Sequence, residues 1–134
     1  YLATTEFIDA ELQARIQEHQ ERRRDLFETL EAPIKLLETL KHCDQPVLVE
    51  CVTMWLNNML YHQIPAQTIL QELIAVMQLP IDLVLVHNEV GLGIIPDNPL
   101  ARQFVDLSGK AAQIMGSACD QVFLCSAGLS IQMK

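Results

Sequence analysis

The sequence predicts one α/β domain built on a largely parallel sheet, and three observations predict it. Short apolar runs alternate with longer segments of helical period, the pattern of successive β-α-β units. The 134 residues suffice for one core, and half of them are hydrophobic with few aromatics. From Asp82 to Pro96 an apolar strand empties into an acidic, glycine-bearing loop. In open α/β sheets, ligands sit outside the carboxyl ends of such strands.

The elements follow in order. Tyr1 to Ala3 reads as strand and Thr4-Thr5 as a polar turn. From about Asp9 to Arg24, Ile8, Leu12 and Ile16 recur every four positions amid charge, which predicts a solvated helix with one apolar stripe. Leu26 to Leu30 alternates weakly as a short strand, and Pro33 marks a helix start with Ile34, Leu36, Leu37 and Leu40 inward. Val47 to Val49 is a buried strand ending on Glu50. Thr53 is placed to cap a helix carrying Trp55, Leu56, Met59 and Leu60. Pro65 separates it from a helix over Ala66 to Gln78, which Pro80 closes. Leu83 to Val86 reads as the central strand, and Asn98 to about Ser117 as a helix with Pro99 in its first turn. Val122 to Cys125 and Leu129 to Met133 form a C-terminal hairpin around Gly128. No repeat, low-complexity tract or linker divides the chain, so a single domain spanning 1–134 is expected.

Composition excludes several classes. Nine Lys plus Arg against 17 Asp plus Glu give a formal charge of -8, which opposes binding to nucleic acid over an extended surface. Cys43, Cys51, Cys119 and Cys125 form no C-x-x-C pair, and two lie in apolar runs that read as buried strands or their ends. They are expected to be reduced thiols of a cytoplasmic protein. No apolar stretch reaches membrane-spanning length, so no membrane span is expected. The histidines His42, His62 and His87 do not stand at metal-ligand spacing, which argues against structural zinc.

Three places carry candidate chemistry. Glu50, at the carboxyl end of its strand, is placed to hold Mg²⁺ or orient its water shell, although an acid there also serves to cap a loop. His19 lies in Arg15-Ile-Gln-Glu-His19, beside Gln20, Glu21 and the arginines Arg22, Arg23 and Arg24. A neutral imidazole attacks phosphorus well near neutral pH, and guanidinium groups offset the phosphate charge. On the residues alone, a surface helix with an incidental histidine is the simpler account. The third place holds Asn88, Glu89, Gly91 and Gly93, followed by Arg102; ordinary turn chemistry explains it nearly as well. Gly109-Lys110 is the one Gly-Lys pair, and Ala111 and Phe104 stand where a Walker A loop needs a hydroxyl and a glycine. It is a decoy inside a helical pattern.

Together these motifs have one family's order. Tyr1-Leu-Ala-Thr4, Arg15-Ile-Gln-Glu-His19, Glu28-Thr-Leu-Glu-Ala-Pro33, Leu48-Val-Glu-Cys-Val-Thr53, Trp55-Leu-Asn-Asn58, Asn88-Glu-Val-Gly-Leu-Gly-Ile-Ile-Pro96, Leu100-Ala-Arg102 with Phe104 and Asp106, and Ala127-Gly128 through Lys134 span the chain. Through them it resembles the bifunctional adenosylcobinamide kinase/adenosylcobinamide-phosphate guanylyltransferases of cobalamin biosynthesis. The resemblance implies a three-layer P-loop NTPase fold of the RecA-like type, usually assembled as a trimer. It implies phosphorylation of adenosylcobinamide by ATP or GTP, then transfer of GMP from GTP to adenosylcobinamide phosphate through a guanylylated histidine. The histidine carries over to His19, and the nucleotide contacts to Thr4, Thr5, Glu6, Gln20, Glu21, Arg22, Arg23, Glu31 and Glu50, the last with Mg²⁺.

The sequence departs from the family's pattern in places. Members carry a strand, a Walker A loop and a helix ahead of the segment matching Tyr1, and this chain opens, without methionine, in the middle of a strand. Upstream sequence is therefore expected to be missing. Were it truly absent, kinase activity would be in doubt, and a nucleotide- or corrinoid-binding module without catalysis is the alternative. Arg24 stands where proline is common, and Ala112 where asparagine is common.

Overall fold

The computed structural model describes residues 1–6, 9–24 and 26–134, with Leu12 described by its backbone alone. Four short strands, β1 (Leu2–Ala3), β2 (Leu30–Glu31), β3 (Val47–Glu50) and β4 (Leu83–Leu85), form a parallel sheet in the order β2-β1-β3-β4. Between and after them run the helices α1 (Ala10–Arg23), α2 (Leu36–Leu40), α3 (Val52–Tyr61), α4 (Ala66–Met77) and α5 (Pro99–Ala118). β5 (Phe123–Ser126) and β6 (Leu129–Gln132) make a separate antiparallel hairpin. This is the α/β architecture the sequence predicts, a parallel sheet flanked by helices and consistent with a P-loop NTPase-type fold.

The core forms where strand alternation meets helix period. Leu2 pairs with Val49, and Val47 and Val49 pair with Leu83 and Leu85, so these side chains share one face of the sheet. Against them lie Leu36, Leu40, Val52, Trp55, Leu56, Ile69, Leu73, Val76 and Ala111, all fully buried. Burying such a side chain stabilises by about 1.5–3 kcal/mol. Two polar groups inside this core are matched to backbone. The Asn58 amide donates to Thr4 O at 2.6 Å and Pro33 O at 2.9 Å, and the Trp55 indole donates to Ile34 O at 2.9 Å.

α1 is a different kind of helix. Its described side chains are exposed apart from the half-buried Ile16 and Arg23, and exposed pairs Arg15–Glu11 and Arg22–Glu18 lace its surface. Ile8 and the Leu12 side chain, the rest of its expected apolar stripe, lie outside the described residues.

Several sequence expectations need correction. The strand expected over Leu26 to Leu30 is Leu30–Glu31, because pairing to β1 sets it: Leu30 N donates to Tyr1 O at 2.8 Å and Ala32 N to Ala3 O at 2.9 Å. Leu26 and Phe27 are exposed outside it. α2 begins at Leu36 rather than at Pro33. Thr53 does not cap α3; Cys51 does, its Sγ accepting from Met54 N at 3.4 Å, and Thr53 sits inside the first turn. β4, expected to be central, ends the strand order, and Val84 is correspondingly 62% exposed. Cys51 is buried as expected at a strand end, whereas Cys125 in β5 is exposed; all four thiols are free.

The hairpin turns on Ala127 and Gly128, with φ of 52° and 76°. Two positive φ values between paired Ser126 and Leu129 make a two-residue turn whose twist suits a hairpin, which is why glycine follows. Lys134 Nζ donates to Gly116 O, Ser117 O and Cys119 O at 3.2, 2.9 and 2.7 Å. One cation thereby satisfies carbonyls left open at the end of α5.

Candidate active site

Strand register gathers the candidate residues at one edge. Ala3 pairs with both Glu31 and Glu50, so the two acids stand level at the carboxyl ends of the strands flanking β1. Thr4, Thr5 and Glu6 leave β1 between them. Val86 N donates to Val49 O at 3.0 Å, which carries β4 onward to the same edge with His87, Asn88 and Glu89. A crevice outside such strand ends is where open α/β sheets bind ligands.

Glu50 is half-buried, and its Oε2 accepts from the Tyr1 hydroxyl at 2.8 Å. The Tyr1 ring carries the Arg23 guanidinium over its face, Cζ 3.6 Å from the centroid, and contacts Phe27 at 6.0 Å between centroids. Burial, then the bond and charge of Glu50, push the Tyr1 phenol up to about 12, so it remains a donor at neutral pH. Thr4 lies beneath this surface. It is fully buried, its hydroxyl donating to Cys51 O at 2.8 Å and accepting from Cys51 N at 2.9 Å. That clamp fixes the backbone immediately after Glu50. Thr5 is half-buried, and Glu6 Oε1 lies 2.7 Å from His62 Nε2. Glu6 Oε2 and Arg23 Nε are buried without a hydrogen-bond partner among the described residues.

His19, Gln20, Glu21 and Arg22 are exposed on α1, and Glu31 is exposed on β2. Of the expected nucleotide contacts, the structure thus brings Arg23 and Glu50 onto one tyrosine and seats Thr4 under Glu50. His19 stands one turn before Arg23 on the solvated helix. Gly109 and Lys110 lie inside α5, away from any strand-to-helix loop, as expected of a decoy.

The loop after β4 is held at both ends. Asn88 N donates to Thr53 Oγ1 at 2.7 Å, and Arg102 Nη1 donates to Pro96 O and Asp97 O at 2.8 and 2.7 Å. Gly91 N donates to Glu89 Oε1 at 2.6 Å, and a Cβ on Gly91 would lie 2.9 Å from that oxygen. Glu89 is exposed, so a small movement of its side chain would relieve that contact. Asn98 Oδ1 then caps α5 by accepting from Leu100 N at 2.8 Å and Ala101 N at 3.3 Å.

Two residues here escaped sequence reasoning. Tyr1 read only as strand, and nothing local signals a bond to a residue 49 positions away. His87 was noted only as a poor zinc ligand. Its Nδ1 lies 3.3 Å from Thr53 Oγ1 and its Nε2 3.0 Å from Ser108 Oγ, so the ring bridges α3 and α5 behind the loop.

Burial lowers the His87 pKa below the usual histidine value, against smaller opposing effects of Glu89 and Ser108. The folded protein therefore binds this proton less tightly than the unfolded chain. The stabilisation is present above the unfolded value of roughly 6.5 and is lost as pH falls through the lower folded value. Urea unfolding between pH 7.5 and pH 5 is expected to show a loss of stability that His87→Gln reduces. An unchanged pH slope in that variant would remove His87 from this role.

A family model described as "CobU: Cobinamide kinase / cobinamide phosphate guanyltransferase" matches residues 1–133. The chain is 36% identical over 154 residues to the bifunctional adenosylcobalamin biosynthesis protein CobU of Escherichia coli (strain K12), covering 100% of this chain and 84% of that protein. It is 37% identical over 141 residues to the bifunctional adenosylcobalamin biosynthesis protein CobP of Pseudomonas aeruginosa, covering 100% of this chain and 81% of the relative. The Salmonella typhimurium CobU protein is likewise 36% identical over 154 residues, with 100% and 84% covered.

Proposed function

The chain belongs to the cobinamide kinase / cobinamide phosphate guanyltransferase family, and from that membership we propose a division of labour among its residues. The protein is a nucleotide-binding transferase of cobalamin biosynthesis that phosphorylates adenosylcobinamide and transfers GMP to the phosphate formed. His19 is the nucleophile of the second activity. One imidazole nitrogen attacks the α-phosphorus of GTP, a P–N bond forms, and the bond to the leaving pyrophosphate breaks. A phosphate oxygen of adenosylcobinamide phosphate then attacks the same phosphorus and displaces the imidazole, giving adenosyl-GDP-cobinamide. Two in-line displacements through a phosphoramidate replace one difficult step.

The observation that supports this reading is the level placement of Glu31 and Glu50 beside β1, with Arg23, one turn after His19, seated on the tyrosine that binds Glu50. Thr4 braces the Glu50 backbone, whereas Thr5, Glu6, Gln20, Glu21, Arg22 and Glu31 contribute polar groups toward the nucleotide. Arg22 and Arg23 offset phosphate charge. The described side chains of α1 are mostly exposed, which suits a helix that opens at low free-energy cost and acts as a lid delivering His19 to the crevice.

The donor set suits Mg²⁺ shared with the nucleotide rather than caged by protein. Among the described residues no group of three His, Cys, Asp or Glu could hold a metal, and Mg²⁺ is usually held by one or two carboxylates plus substrate phosphates. Glu50, with Tyr1 on one oxygen only, is the residue that would hold it. When bound, the ion neutralises charge on the phosphate oxygens. ATP or GTP as kinase donor, a trimeric assembly and a cytoplasmic location complete the proposal, supported by family resemblance. Among the described residues no helix is long and apolar enough to cross a membrane.

Glu50→Gln is expected to lower metal-dependent nucleotide turnover on the order of a hundredfold, while stability changes by less than about 1 kcal/mol because the acid is only half-buried. Turnover assays and urea melts on the same preparation check this. Equal losses in both would return Glu50 to a structural role.

A further inference from the structure

Nothing in the assigned chemistry uses Tyr1, yet its side chain joins the two halves of the proposed site. Its hydroxyl donates to Glu50 Oε2 at 2.8 Å, Phe27 packs on the ring, and the ring presents its face to Arg23 with Cζ at 3.6 Å. Arg23 closes the last turn of α1, four residues after His19, so His19 and Arg23 lie on neighbouring turns of one helical face. The Arg23 Nε is buried without a hydrogen-bond partner among the described residues, and the guanidinium lies on the aromatic face. The other described side chains of α1 are nearly all exposed. A helix with so little burial needs a specific contact to fix where its last turn sits.

We propose that Tyr1 is a positioning residue for guanylylation: its ring, oriented by the hydroxyl bond to Glu50, seats Arg23 and so registers the His19 helix against the strand end that carries the acid. The proposal rests on His19 being the nucleophile. It gives the tyrosine no contact with substrate; its action runs through Arg23. The raised phenol pKa, about 12, agrees with a hydroxyl that keeps its proton and its bond to Glu50 throughout the neutral range.

The test is single-turnover labelling of the protein by α-labelled GTP, across Tyr1→Phe, Tyr1→Leu, Arg23→Met and the Tyr1→Leu/Arg23→Met pair. Tyr1→Leu is expected to slow labelling about tenfold, the rate equivalent of losing a half-buried cation–π contact, with the half-saturating GTP concentration little changed. Tyr1→Phe keeps the π face that seats Arg23 but loses the bond that orients it, and is expected to slow labelling only about threefold, between the parent and Tyr1→Leu. In the Arg23→Met background, Tyr1→Leu is expected to add nothing, since residues acting in series are not additive. Should the leucine variant unfold, Tyr1→Met fills a similar volume without a π face and replaces it. The proposal is overturned if phenylalanine loses as much as leucine, or if the leucine effect is undiminished in the Arg23→Met background. His19→Asn, run alongside, separates the two ideas: label surviving there rejects the nucleophile assignment, while the cycle still reads the coupling of Tyr1 to Arg23.

Discussion

Replacing His19 with Asn abolishes the acid-labile, base-stable label that α-labelled GTP and Mg²⁺ are expected to leave on the protein. The lability is that of a phosphoramidate, whose nitrogen leaves once protonated, and it separates a histidine adduct from an ester on Ser or Thr. Asn cannot supply the lone pair that an imidazole offers, so the loss should reach at least the order of a thousandfold, as when other enzymes lose their nucleophile. Folding should be nearly untouched, because His19 is exposed on a solvated helix, where substitutions change stability by about 0.5 kcal/mol or less. The kinase activity, which does not pass through this histidine, should survive. Labelling of the variant at the parent rate would move the nucleophile elsewhere.

The largest expected effect on stability lies far from the chemistry. Trp55 is fully buried and its indole N–H donates to Ile34 O at 2.9 Å. Trp55→Ala removes that apolar volume and one of the two hydrogen bonds that Ile34 O accepts, the other coming from Leu36 N at 2.9 Å, a loss of about 3–5 kcal/mol that is mainly the cavity. For a domain whose total stability is about 5–15 kcal/mol, the melting temperature should fall by roughly 10 °C or more. Trp55→Phe should lose less, since a ring still fills most of the space. Thermal melts that place the alanine variant within about 1 kcal/mol of the parent would contradict this account of the core.

Much of the fold was legible because burial writes periodicity into sequence. Val47 to Val49 and Leu83 to Val86 read as apolar strands, where the structure has Val47–Glu50 and Leu83–Leu85, and the Asn98-Pro99 start of α5 was visible in the cap residue and the proline after it. What was hidden depends on partners distant in the chain. Leu30–Glu31 is a strand only because β1 supplies its register, and β4's place at the end of the order depends on which strands pair. Cys51 capping α3 departs from the usual preference for Ser, Thr, Asp or Asn, a preference that points to Thr53, whose hydroxyl instead holds the loop after β4.

The candidate site was legible in a different way. Glu50 announces itself at a strand end by position, whereas His19 on its residues alone resembles any histidine on a charged helix. Only the order of motifs along the chain singles it out. Tyr1 and Thr4 owe their places to bonds across 49 and 47 positions, to Glu50 and Cys51, which no local pattern encodes. Sequence therefore pointed to the acid and, through family resemblance, to His19 as the proposed nucleophile, and the packed structure shows what braces Glu50.

The central claim is that a histidine on the solvated helix α1 carries the nucleotide. Tandem mass spectrometry of the protein trapped with GTP in the absence of adenosylcobinamide phosphate tests it most directly. The account predicts a GMP mass increment on the peptide containing His19. An increment on His62, the histidine already paired with Glu6 beside the strand ends, or on any other residue, would contradict it.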